Sequence, residues 1–152
     1  WAQYTGLDIT ALHRGFTELI QFRPGAKAFL NWAKAKKKKT IIATNAHPES
    51  IQIKNEISAL SSHVNHITSS HQYECPKETP EFWERLQIEH QFDKAKTIFI
   101  DDNAPVLDSS KNYGLAYNLI VAKPDSRKPL KPNLSYPSFD HYEEICPQIK
   151  AN

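Results

Sequence analysis

At 152 residues and 39% apolar side chains, the chain is long enough to bury one core, and a net charge of +2 argues against both a polyanion binder and an acidic tail. No run approaches the roughly 20 apolar residues that cross a bilayer, and no charged-then-apolar leader precedes a small-residue cleavage site. Cys75 and Cys146 lie far apart without paired spacing, so they read as free thiols of a cytoplasmic protein, not as a disulfide framework or zinc site.

Taken in chain order, residues 7–20 carry Leu12, Phe16, Leu19 and Ile20 at helical spacing behind Asp8 and Thr10, which predicts a capped amphipathic helix ending before Arg23-Pro24-Gly25. Residues 26–36 predict a second helix with Phe29, Leu30, Trp32 and Ala33 on one side. The run from Lys36 to Lys39 then leads into a strand at 40–44. Lysines in a last helical turn complement its negative end, and this run lacks the interleaved aromatics of a nucleic-acid surface, so it reads as a solvated terminus. A helix follows at 48–60 and a short strand at 64–69, after which Lys77 sits in the turn-like YECPKETP. Thr79 or Pro80 starts a helix through Phe82, Trp83, Leu86 and Ile88, and a strand at 97–101 comes next. The helix from Ala104 stops at Gly114, and residues 116–121 predict a further buried strand. Such alternation predicts βαβ units with right-handed crossovers and a largely parallel sheet flanked by helices. Residues 123–138 are Pro-rich and polar, hence an extended surface loop, before a last short helix at 142–149.

The stretch at 97–114, TIFIDDNAPVLDSSKNYG, is the most informative. A buried-strand run ends in Asp101-Asp102, at the carboxyl end where α/β sheets bind ligands. Adjacent carboxylates repel unless they share a cation or a proton, and hard oxygen donors suit Mg²⁺ held with waters and a substrate phosphate. The plainer reading makes Asp102 or Asn103 the cap of the following helix, and the two are compatible. Thr44-Asn45 and Lys77 follow strands in the same way. A hydroxyl, an amide, an ammonium and paired acids together outline a phosphate site. His63, His66 and His71 with Cys75 form an alternative transition-metal set, but the first two flank a turn and do not converge with the third beyond the strand.

With IIATN (Thr44), PKE (Lys77) and FIDDNAPVLD (Asp101, Asp102, Asp108) in that order, the chain resembles the haloacid-dehalogenase-like (HAD) phosphatases over nearly its whole length. TNAHP, YECPKE and AKPDS make it similar, more narrowly, to the bacterial GMP/IMP 5′-nucleotidase branch. The resemblance implies a Rossmann-like core at 23–152 with the remnant of a helical cap at 1–22, Mg²⁺ as cofactor and a small phosphorylated metabolite as substrate, with neither nucleic acid nor membrane as partner. It implies that Thr44 binds the transferring phosphoryl group, that Lys77 steadies nucleophile and phosphate, and that Asp101 and Asp102 supply Mg²⁺ coordination, with Asp102 foremost as a direct ligand. Asp108 supports the motif's loop or helix beside Asn103, and Asn45 and His47 line the substrate mouth.

The family's DxDx(T/V) motif, whose first Asp is the nucleophile, occurs nowhere in the chain, and Asp8 in GLDIT precedes a helix instead of ending a strand. The chain also opens at Trp1 and contains no Met. It therefore reads as a fragment whose nucleophile strand and most of whose cap lie upstream, inactive and poorly folded by itself. In the family's strand order the missing strand stands between those at 40–44 and 97–101, so a gap is expected there, to be filled by that segment or by a partner. The alternative is a phosphate- and Mg²⁺-binding interaction module without hydrolysis.

Overall fold

Strand and helix alternate along the computed structural model, which describes residue 11 and residues 14–125, 127–132 and 134–147. Among these, the helices are α1 (Ala26–Ala35), α2 (Pro48–Ser58), α3 (Ser70–Tyr73), α4 (Pro80–His90), α5 (Ala104–Tyr113) and α6 (Tyr142–Ile145). The strands are β1 (Ile41–Thr44), β2 (His66–Ser69), β3 (Ile98–Asp101), β4 (Tyr117–Val121) and β5 (Ser138–Phe139). The caps explain the boundaries. Pro48, Pro80 and Pro105 stand in the first turns of α2, α4 and α5, where a missing N–H costs nothing. Gly114 closes α5 at φ 105°, a left-handed conformation that lets its N–H reach the Lys111 carbonyl at 2.9 Å.

All strand pairings are parallel. β1 pairs β2 with Thr44 opposite Ser69, while β3 pairs β4 with Asp101 opposite Ile120, and Val121 of β4 pairs Phe139 of β5. The two sheets are separate: β1 has only β2 as a strand partner among the described residues, and β3 only β4. Both Ile-rich strands are consequently half-buried, although their sequence is that of strands covered on every side. One cluster joins the sheets across this break. Phe82, Trp83 and Leu86 of α4 pack with Val106, Leu115 and Tyr73, and Ile41 and Ala43 of β1 and Phe99 of β3 lie against them. The Trp83 ring meets Phe99 edge-on at 4.8 Å.

Several expectations need correction. The predicted first helix falls partly outside the described residues, and its end is a 3-10 turn, Thr17–Leu19, after which residues 20–23 leave the helix. The last helix stops at Ile145 instead of 149. Cys146 precedes Pro147, which disfavours helical backbone at the residue before it, and Cys146 has φ −144°. The segment at 123–138 ends in β5, a strand too short for any periodicity to announce. Lys39 serves a helix end other than its own, donating from Nζ to the carbonyl of His90, the last residue of α4, at 2.5 Å.

His90 is itself buried, with Nε2 2.8 Å from Thr68 Oγ1, its ring 4.6 Å from that of His66, and Glu89 Oε1 at 3.6 Å. Burial pulls its pKa below the ordinary 6.5, with His66 and Lys39 adding to the shift and Glu89 opposing it. A histidine depressed in the folded state binds fewer protons folded than unfolded once pH drops below 6.5. Its contribution is therefore complete above 6.5 and lost as pH falls from there through the folded pKa. Denaturant midpoints taken between pH 7.5 and 5.5 are expected to fall for the wild type, and less steeply for His90→Gln.

Candidate functional site

The carboxyl ends of the two sheets meet at Lys77. Its Nζ lies 2.6 Å from Asp101 Oδ2 at the end of β3, and both side chains are about nine-tenths buried. Its main-chain N–H donates to Asn45 Oδ1, just past β1, at 3.0 Å. Its carbonyl accepts from Trp83 Nε1 at 2.9 Å, and that same nitrogen is 3.0 Å from Ser109 Oγ on α5. Asp101, Asn45 and Trp83 thus fix one lysine, and Ser109 bonds the same indole N–H. The chemistry is that of an ammonium locked in place near a half-exposed acid, as a phosphate-binding group requires.

Asp101 and Asp102 divide their work. Asp101 accepts from Lys77 through Oδ2 and from the Asn103 N–H through Oδ1 at 2.9 Å, which leaves its carboxylate engaged at both oxygens. Asp102 points outward, its side chain 55% exposed, with Lys131 Nζ 3.8 Å from Oδ2. Asn103 stands at the N-cap position of α5, yet no side chain caps that helix, so the capping role expected of Asp102 or Asn103 is not taken up.

Thr44 Oγ1 accepts from the Ala46 N–H at 3.1 Å, which leaves the hydroxyl proton free to donate elsewhere. Asn45 ties two loops together: besides accepting from Lys77 N–H it donates from Nδ2 to Glu78 Oε2 at 2.9 Å. His47 occupies the N-cap of α2, its Nδ1 accepting from Glu49 N–H at 3.4 Å, and its ring meets His71 edge-on at 5.1 Å. Asp108 accepts from Tyr136 OH at 2.5 Å. Burial first, then that carboxylate, push Tyr136 up to about 12, so it remains a donor across the working pH range. The three histidines of the alternative metal set lie against different partners: His63 against Phe22, His66 against His90 and His71 against His47.

Sequence reasoning missed four contributors. Ser69 sits in register beside Thr44, donates to the Ala46 carbonyl at 2.7 Å and caps α3, steadying the loop that follows β1. Glu78, Trp83 and Lys131 bear on the site only through the tertiary fold. The first two flank a recognised lysine and a helix start, so proximity to the PKE segment was the available signal for them, and nothing local marks Lys131.

Comparison with known proteins gives a consistent result. The family model of the haloacid dehalogenase-like hydrolases matches residues 7–114. Over 149 residues the chain is 32% identical to the GMP/IMP nucleotidase YrfG of Escherichia coli (strain K12), a match covering 98% of this chain and 67% of that protein. The Shigella flexneri protein of the same name matches equally. Among solved structures, a HAD-superfamily hydrolase from Ehrlichia chaffeensis superposes with a TM-score of 0.67 at 18% identity, covering 85% of this chain and 58% of that one. The L-2-haloacid dehalogenase of Xanthobacter autotrophicus superposes at 0.58 with 20% identity, covering 68% and 41%. The chain thus spans less than two thirds of either solved protein.

Proposed function

The chain belongs to the haloacid dehalogenase-like hydrolases, and within that family we propose that it forms the phosphate- and metal-binding part of a Mg²⁺-dependent phosphomonoester hydrolase acting on purine nucleoside monophosphates such as GMP or IMP in the cytoplasm. The observation that carries this reading is the buried contact of Lys77 Nζ with Asp101 at the carboxyl ends of the strands, beside an Asp102 carboxylate left open to solvent.

The donor set suits Mg²⁺. That ion takes one or two carboxylates and keeps several waters, and Asp102 presents one half-exposed carboxylate, with Asp101 next to it in the chain. No group of three or more His, Cys, Asp or Glu converges among the described residues, so water and substrate fill the remaining positions around the ion. When bound, the ion neutralises charge on the transferring phosphoryl group. Lys77, held by Asp101, supplies a fixed positive charge to the same oxygens, and Thr44 donates its hydroxyl proton to them. Asp101 acts through Lys77 and Asn103, as a positioning residue.

The attacking carboxylate lies on a strand that enters between β1 and β3. Each of these has an edge with no strand partner among the described residues, and such edges attract a pairing strand. The described residues from 23 onward form the core that receives it.

The test is Asp102→Asn in the protein that carries the whole sheet. Because Asp102 is exposed, stability should stay within about 0.5 kcal/mol of wild type, while Mg²⁺-dependent hydrolysis of GMP and IMP should drop about 10²- to 10³-fold. A variant that hydrolyses them at the wild-type rate would sink the assignment.

A further inference from the structure

The described residues of the Pro-rich segment between 123 and 137 form a strap drawn over the acidic end of β3. It carries Pro124, Pro129, Pro132 and Pro137, which restrict the unfolded chain and stiffen the folded one. Four hydrogen bonds fasten it to its surroundings apart from the Lys131 side chain: Arg23 Nη1 donates to the Lys123 carbonyl, Lys131 N–H to the Ala122 carbonyl at 2.9 Å, Ile120 N–H to the Pro137 carbonyl at 2.9 Å, and Tyr136 OH to Asp108. Between the strap and the start of α5 lies a cleft of about 560 Å³ bordered by Asp102, Asn103, Pro105, Lys131, Leu134 and Ser135. At its rim, Lys131 Nζ donates to the Asp102 carbonyl at 2.5 Å and stands 3.8 Å from that residue's carboxylate.

We propose that Lys131 is the internal counter-ion of Asp102, a positioning residue whose ammonium neutralises the carboxylate until a divalent cation takes its place and frees the lysine toward the cleft. The proposal rests on the reading of Asp102 as a metal ligand. An ammonium and a Mg²⁺ ion at the same oxygen repel each other, so binding of one disfavours the other. Two features make the exchange easy. Lys131 is 41% exposed on a flexible stem, and its main chain stays anchored to Ala122 when the side chain swings away. Once released, the ammonium faces a cleft that opens beside the candidate phosphate site, where it serves an anionic group of the substrate.

The exchange predicts a direction that damage to the strap would not produce. Mg²⁺ titrated by calorimetry into the full protein should bind about fivefold tighter to Lys131→Ala than to wild type, whereas Lys131→Arg, which keeps the charge, should stay within about twofold. Unchanged or weaker Mg²⁺ binding by Lys131→Ala overturns the proposal. A second measurement is the rate at which an amine-acylating reagent modifies Lys131, read by mass spectrometry against the exposed Lys128. Labelling of Lys131 should rise on adding Mg²⁺ to wild type, and in metal-free Asp102→Asn. If Asp102→Asn binds Mg²⁺ like wild type, the ligand reading fails. Labelling of the metal-free variant then decides the contact alone, with a rise supporting the counter-ion and no change overturning it.

Discussion

Lys77→Met is expected to lose about 3–5 kcal/mol of stability, the cost of stranding one partner of a buried ion pair, because Asp101 keeps only the Asn103 N–H for its charge. On the proposed function, hydrolysis of GMP or IMP should fall at least about 10²-fold with it, since the fixed charge assigned to the phosphoryl oxygens is gone. These losses separate in the double variant Lys77→Met with Asp101→Asn. A neutral amide no longer needs a counter-charge, and replacing both members of a buried pair is often close to neutral. Urea midpoints should therefore recover most of the stability in the double variant while turnover stays low. Recovery of both would mean that the pair is architectural; recovery of neither would mean that an amide in place of the Asp101 carboxylate misplaces the start of α5.

The same lysine illustrates what was legible in the sequence. Lys77 was recognisable because a Pro-Lys-Glu segment follows one strand and precedes a helix with Pro at its start, and Asp101-Asp102 because a β-branched run ends in them. These are local signals, and the parallel strands, the proline starts and the Gly114 stop belong to the same kind. What Lys77 touches was not local. Its bond to Asp101 spans 24 positions and its link to Asn45 spans 32, and no periodicity encodes either. The division of labour between the two acids, one tied inward and one left open, likewise follows from how the Asn103 N–H turns back onto Asp101. Lys131 was invisible for a further reason: a lysine in a Pro-rich polar stretch has the composition of any exposed loop, and only the path of the strap brings it to Asp102. His47 shows the same limit: the resemblance places it at the substrate mouth, while the cap that its ring nitrogen makes on α2 comes only with the fold.

Trp83 is where core and site are the same residue, so its substitutions should affect both, in different proportions. The side chain is 1% exposed, packs edge-on against Phe82 and Phe99, and presents Nε1 to the Lys77 carbonyl and Ser109 Oγ. Trp83→Ala empties the centre of the cluster that joins the two sheets and should cost about 3–5 kcal/mol, seen as an early urea midpoint. Trp83→Phe keeps most of the aromatic volume and removes the donor. Leaving a buried carbonyl without its partner costs about 1–3 kcal/mol, and the peptide of Lys77 loses one of its two anchors, keeping only the Asn45 link on its N–H. Turnover should then fall further than the modest loss of stability accounts for, with KM for GMP little changed, because a shifted ammonium is missed most where charge develops. Should Trp83→Phe be destabilised yet turn over at the wild-type rate, the indole donor is a packing device and Lys77 is held by Asp101 and Asn45.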